Sequence, residues 1–357
     1  MLCGPCKAMK GLLMMFLALT RRGALGLSTR RCLSRRPNDS FLARLGGVKR
    51  APRGLAPRPA TVEGAAPDRP PTLPSGTFRP KQSLGQNYLS DQNYATKIVD
   101  SLGDDSERGR RVVELGPGLG ALTRLLLRQY PEMVAVEIDG RAVELLEETY
   151  PAPFTVLHSD VLAVDYTKLA AARGGRLSVI GNLPYYITSQ ILFCLCDHHA
   201  SVSRAVVTMQ HEVALRLVAK PRTKDYGILS VVFQLYASPK IAFKIPHTAF
   251  YPQPKVTSAL VAIDFPEGGV ELPVDPRKLR TVVTTAFRQR RKMLRQSLKS
   301  ILNGEPLPDR FATKRPEELA PAEFLDLTGA IYGFDGDGGA HDGTPIWRTQ
   351  KLRKGEF

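Results

Sequence analysis

The chain is poor in the residues that would mark a secreted, metal-binding or membrane protein. It has five cysteines, and three of them, Cys3, Cys6 and Cys32, fall near its start. The other two, Cys194 and Cys196, are too close together and too isolated for a zinc site. No disulfide framework results; the pair reads as small apolar residues on a helix, in a reducing compartment. The apolar run over 12–19 is far too short to span a bilayer, and no segment repeats at a fixed period. Positive charge is also scarce where it would count. Of the net +16, residues 1–80 carry +12 (15 Lys/Arg against 3 Asp/Glu), and the remainder only +4 (35 against 31). Bulk charge is therefore a weak argument for a nucleic-acid partner. A hydrophobic content of 43% and a charged content of 24% fit a globular protein, and 357 residues allow two domains.

The segment over 1–77 reads as a leader and linker. Its apolar run is followed by Arg-rich, Ser-containing, nearly acid-free sequence through Arg58, then by Pro67, Pro70, Pro71 and Pro74. That composition suits an organellar transit peptide. Two other readings stay open: a two-part signal for a plastid with extra membranes, and a disordered basic RNA-binding tail. Beyond it we expect a catalytic domain over 78–268, a smaller helical domain over 269–333 and a disordered Gly/Asp-rich tail over 334–357.

Strands are expected over 111–115, 133–137, 154–158, 177–181 and 205–209. Helices are expected from Asp91 and over 121–130, 141–149, 188–197 and 212–218. Two β-rich runs follow, over 228–236 and 256–263. From Asp275 the pattern is helical and basic, with Leu279, Val282, Val283 and Phe287 at helical spacing. Strands alternating with helices at this spacing mean an α/β, doubly wound parallel sheet. Ligands of such sheets collect at the carboxyl ends of the strands.

The residues at those ends carry the chemistry. Glu114-Leu115-Gly116-Pro117-Gly118 is a glycine turn that lets backbone approach a ligand. Glu137, 21 residues after Gly116, can accept both hydroxyls of a ribose. Asp160 suits either an adenine amine or a turn cap. The set fits a dinucleotide or S-adenosylmethionine. Gly120 comes one residue early for the dinucleotide pattern, and no Lys or Arg in the turn could pair a phosphate, so S-adenosylmethionine is favoured. Asn182-Leu183-Pro184-Tyr185 ends the fourth strand. The Asn182 amide oxygen and the Leu183 carbonyl can accept an exocyclic amine's two N–H bonds, Pro184 fixes the turn, and the Tyr185 ring can stack on a base. The competing reading is a strand-end turn with a packed tyrosine. His211 is read as structural, and no metal site is expected.

These pieces in this order resemble the ribosomal RNA adenine dimethyltransferase family, which modifies two adjacent adenines near the 3′ end of small-subunit rRNA. The matching stretches are 85–89, 114–118, Glu137, Asp160, 181–185, 210–217, 250–256 and 287–292, within roughly 80–333. The resemblance implies a Rossmann-like class I S-adenosylmethionine-dependent methyltransferase sheet with a smaller C-terminal helical domain. It implies cofactor contacts from Asn87, Leu89, Gly116, Gly118, Glu137, Asp160 and Asn182. It places the target adenine against Asn182, Leu183, Pro184 and Tyr185, with Phe250 as the second stacking face. The family's usual Phe before the leucine of the opening motif is Tyr88 here. Arg288, Arg290, Arg291, Lys292 and Arg295 are the expected RNA contacts. The expected partner is the immature small ribosomal subunit of an organelle, met by a monomer with no membrane contact. The run over 292–298 resembles plastid members of the family more than mitochondrial ones. The alternative is a non-catalytic RNA-binding assembly or transcription factor that keeps the fold.

Overall fold

Short runs of β-branched and aliphatic residues form the strands, and several of the helices between them start on acidic caps. The computed structural model describes residues 86–334 and 345–348. The leader and linker expected over 1–77, the start of the opening motif over 81–85, and tail residues 335–344 and 349–357 lie outside the described residues. The elements begin with β1 (Tyr88–Leu89), α1 (Gln92–Asp100), β2 (Val112–Leu115), α2 (Thr123–Gln129), β3 (Val134–Glu137), α3 (Gly140–Thr149) and β4 (Thr155–His158). They continue with α4 (Tyr166–Arg173), β5 (Leu177–Asn182), α5 (Thr188–Asp197), β6 (Val202–Gln210), α6 (His211–Val218) and α7 (Ile228–Tyr236). Last come β7 (Ser238–Ile245), β8 (Phe250–Tyr251), β9 (Ser258–Asp264), α8 (Pro276–Arg288), α9 (Leu294–Ser297), α10 (Asp309–Ala312) and α11 (Pro321–Tyr332). Asp91, Asp139, Asp165 and Asp275 cap α1, α3, α4 and α8, each carboxylate accepting a first-turn backbone N–H.

Seven strands lie in the order β4-β3-β2-β5-β6-β9-β7. Neighbours from β4 to β6 pair in parallel, and β9 runs antiparallel to both β6 and β7. Alternate residues of a strand point to opposite faces. Val113, Val134, Val136, Val179 and Val207 accordingly join one hydrophobic cluster, and Val112, Ala135, Val156, Ile180 and Val206 join another. Burial on both faces is why these strands read as largely apolar runs.

One β-rich expectation is corrected. Residues 228–236 form helix α7, not a strand. Periodicity cannot separate a buried strand from a buried helix when a run is apolar throughout. Here Leu229, Val231, Val232, Phe233 and Tyr236 are all buried. The one polar residue among them, Ser230, is satisfied: its Oγ donates to the Arg216 carbonyl (2.5 Å) and accepts the Gly227 N–H (3.0 Å). The strand is the next segment, edge strand β7. Lys240 and Lys244 are exposed on it, as suits an edge that must not pair further.

The C-terminal helices share the larger cluster with the sheet. Leu279, Val282, Val283 and Ala286 are the buried stripe of α8. The expectation of a disordered tail is corrected for residues 345–348. Ile346 and Trp347 are buried at 4% and 3% exposure. The Asp197 carboxylate at the end of α5 accepts three consecutive N–H groups, from Ile346 (3.0 Å), Trp347 (2.8 Å) and Arg348 (2.9 Å). The indole stacks on Phe193 (6.2 Å, 18°) and meets Tyr236 edge-on (6.2 Å, 77°). A Gly/Asp-rich composition hid two large apolar side chains whose burial outweighs the ordering of a short segment. Trp347→Ala should destabilise the protein by about 3 kcal/mol, read as a lower urea midpoint at unchanged slope. An unchanged midpoint would mean that the segment does not dock in solution.

Candidate active site

The carboxyl ends of β2, β3 and β5 and the turn after β4 border one cavity of about 280 Å³. After β2, Gly116 and Gly118 adopt φ of 63° and 55°, a region side chains disfavour. A Cβ on Gly118 would stand 2.8 Å from the Tyr88 ring, whereas one on Gly116 would meet nothing within 4 Å. Backbone is thus laid open to a ligand at Gly116.

At the end of β3, Glu137 is 5% exposed. Its Oε2 accepts the Gly118 N–H (3.0 Å), and its Oε1 accepts those of Ile138 (2.8 Å) and Asp139 (2.9 Å). A carboxylate offers about four acceptor positions. One ribose hydroxyl can therefore bond without disturbing the loop; a second must displace the Gly118 N–H. Asp160, just past β4, borders the cavity. Its Oδ1 accepts the Leu162 N–H (2.8 Å), so it caps a turn and still offers its other oxygen to an amine.

Asn182 ends β5. Its Nδ2 donates to the Asn87 carbonyl (2.7 Å), and its Oδ1 accepts the Thr208 hydroxyl. Leu183, Pro184 and Tyr185 follow along the cavity wall. The Leu183 N–H donates to the Thr208 carbonyl (3.2 Å), and the Pro184 carbonyl accepts the Thr188 hydroxyl (2.9 Å) at the start of α5. The Tyr185 hydroxyl bonds Ser258 Oγ at 2.5 Å. Burial raises the Tyr185 pKa, and the Ser258 bond opposes that rise. Tyr186 and Ile138, exposed at 56% and 49%, border the same cavity. Thr208, Ser258 and Tyr186 carried no signal in the sequence, because the first two matter only through strand neighbours.

Three expected contacts lie elsewhere. Leu89 and Phe250 face each other across the β1–β8 pair, at 6% and 2% exposure, inside the second hydrophobic cluster. Neither borders the cavity, so Phe250 is not its second stacking face; strand pairing turns its ring into the core. The exposed aromatic of that stretch is Tyr251 (53%). Asn87 does border the cavity. The hydroxyl of Tyr88 is buried without a partner, and burial raises its pKa. In the basic cluster, Arg288, Arg291, Lys292 and Arg295 are exposed. Arg290 is instead an internal staple: Nε to Glu317 (2.7 Å), Nη1 to the Lys224 carbonyl (2.6 Å) and Nη2 to the Thr223 carbonyl (2.8 Å).

Among the described residues, the cavity wall carries two carboxylates, Glu137 and Asp160, and no Lys, Arg or His. A pyrophosphate would find two carboxylates and no side-chain cation among these residues, whereas a nucleoside bearing a cationic sulfonium and ammonium suits them. These residues fit S-adenosylmethionine and not a dinucleotide. Sheet order, glycine turn and carboxylates together define a class I S-adenosylmethionine-dependent methyltransferase. Within that class, the chain belongs to the ribosomal RNA adenine dimethylase family, whose sequence model matches residues 77–315. It is 46% identical over 252 residues to ribosomal RNA small subunit methyltransferase A of Salinibacter ruber, covering 70% of this chain and 84% of that protein. The same-named protein of Prosthecochloris aestuarii is 41% identical over 253 residues, covering 70% and 94%. Among solved structures, a dimethyladenosine transferase from Plasmodium falciparum shares the fold, with a TM-score of 0.55 at 22% identity over 67% of this chain and 95% of that one.

Glu114, 1% exposed beneath the glycine turn, accepts the Thr123 hydroxyl (2.7 Å). Burial pushes its pKa up to about 8, Thr123 opposes the rise and the charge of Glu137 adds to it. Between pH 4.5, its ordinary value, and about 8, the unfolded chain releases a proton that the folded one keeps. Stability therefore falls as pH rises through that window. Glu114→Gln should flatten the fall, measured as urea midpoints at pH 5 and 8. An unaltered pH dependence would show that Glu114 ionises as an exposed carboxylate does.

Proposed function

We propose that the cavity receives an adenine extruded from the 3′-terminal hairpin of small-subunit rRNA, and that the methylated adenines are two neighbours. The coarser statement needs no proposal: the chain is an S-adenosylmethionine-dependent rRNA adenine dimethyltransferase. Entry of an adenine amine is supported by the Asn182 amide, held at the cavity wall between two protein partners with one acceptor lone pair to spare; the hairpin and the neighbouring pair rest on the family resemblance.

Bound S-adenosylmethionine supplies a methyl group already activated on a sulfonium, so the protein's task is orientation. Adenine's amine is a poor nucleophile because its lone pair is delocalised into the ring. Asn182 Oδ1 and the Leu183 carbonyl accept its N–H bonds, draw the nitrogen toward tetrahedral geometry and stabilise the positive charge that develops. No strong base is needed. The Tyr185 ring, tethered through Ser258, stacks on the base and contributes roughly 1–3 kcal/mol toward holding it out of its helix. The exposed Arg291, Lys292 and Arg295 contact backbone phosphates, which position the RNA without reading its sequence.

The chain acts as a monomer on the immature small subunit of an organelle, a plastid by preference. The Arg-rich leader and the run over 292–298 support that reading. A fluorescent fusion of residues 1–80 tests it, and a cytosolic signal would end it.

Labelled methyl should pass from S-adenosylmethionine to immature small subunits with wild type and fall to background with Asn182→Ala. If both proteins are silent yet bind the particle equally, the chain is a non-catalytic assembly factor. Replacing Arg291, Lys292 and Arg295 together by Ala should weaken RNA binding at unchanged thermal stability. The log–log salt slope should drop by about 0.7–0.9 per lost phosphate contact. An unchanged slope would remove that turn from the interface.

A further inference from the structure

A side-chain amide has nearly the same shape when flipped by 180°, so its neighbours decide which end faces a ligand. The Asn87 carbonyl, an acceptor only, takes an Asn182 N–H (2.7 Å) and so fixes the polarity. On the other side, Thr208 stands directly opposite Asn182 in the parallel β5–β6 register and donates its hydroxyl to Oδ1. Thr208 is fully buried and does not border the cavity. Its hydroxyl therefore serves Asn182 and cannot touch a base or a methyl donor. The Thr208 carbonyl also receives the Leu183 N–H (3.2 Å), so one residue aligns both proposed acceptors.

We infer that Thr208 is a positioning residue of the methyl transfer: its hydroxyl pins Asn182 Oδ1 so that the remaining lone pair faces the target amine. The inference rests on Asn182 being an acceptor for that amine. The physical argument is one of aim. An amide held only at its nitrogen can still swing about its Cβ–Cγ bond, whereas bonds at both ends leave it one orientation. The bond at Oδ1 also occupies one of its two lone pairs and so directs the other. A hydrogen bond made in the ground state and kept in the transition state alters the rate through geometry rather than through binding.

Thr208→Val keeps the shape and the backbone bond to Leu183 and removes only the hydroxyl. It should lower kcat roughly ten-fold, the size of one ordinary hydrogen bond. KM for the RNA and the Kd of S-adenosylhomocysteine should stay within about two-fold, and Thr208→Ser should restore kcat. If Thr208→Val turns over at the wild-type rate while Asn182→Ala is inactive, the positioning role is wrong and the acceptor reading stands. If Asn182→Ala retains full activity, the acceptor reading itself falls. A Ser variant as slow as Val would assign the loss to packing of the threonine methyl and overturn the inference.

Discussion

The close approach of β2 and β5 at their carboxyl ends is the constraint on which the site depends. Leu115 and Gly181 are register partners, and a Cβ on Gly181 would stand 2.5 Å from the Leu115 carbonyl oxygen. Real Cβ contacts do not come that close, so any other residue would part the strands where Gly116 leaves one and Asn182 ends the other. The requirement is for space rather than for backbone freedom. Because it is met, the glycine turn that opens backbone to the cavity begins beside the amide proposed to face the methyl acceptor. The β5–β6 pairing then supplies Thr208 on the far side of Asn182. Donor and acceptor sites are thus neighbours by sheet register, before any loop conformation is specified.

Charge is divided in a way that matches the two tasks. Among the described residues, the cavity wall has carboxylates and no cations, which suits a cationic donor. Among the exposed cations, Arg291, Lys292 and Arg295 cluster instead around the turn from α8 to α9. On the proposed reading, an extruded base enters the cavity while its backbone is held elsewhere, and phosphates gain nothing from following it in. The modest net charge beyond residue 80 is consistent with this local arrangement, since only a small cluster has to attract RNA.

The strands that build the site were legible because burial on both faces leaves them largely apolar. Val112–Leu115, Val134–Glu137 and Leu177–Asn182 are examples. The glycine turn, Glu137, Asp160 and the tetrapeptide were legible for a related reason: their chemistry belongs to a strand end, and strand ends could be found. Helix α7 was not, since its run is equally apolar on every side. Leu89, Phe250 and Arg290 had the residue types their expected roles demand, yet strand pairing and an internal acceptor set claimed them first. Thr208 was invisible because a threonine in a strand means nothing until its cross-strand partner is known.

Helix α5 links these observations. At its first residue, Thr188 bonds the Pro184 carbonyl of the tetrapeptide; at its last, Asp197 holds the tail segment whose Trp347 packs on Phe193 and Tyr236. Tyr236 ends α7, and Arg290 ties the turn after α8 to Glu317 and to the loop before α7. A continuous packed path therefore runs from the base-holding residues to the basic cluster. Close-packed interiors do not stretch, so the separation between the cavity and the proposed phosphate contacts is set by the fold. Under the proposed function, a protein built this way would select RNA by whether an unpaired adenine and a backbone turn lie at the matching separation. That is recognition by shape, the mode folded RNA invites.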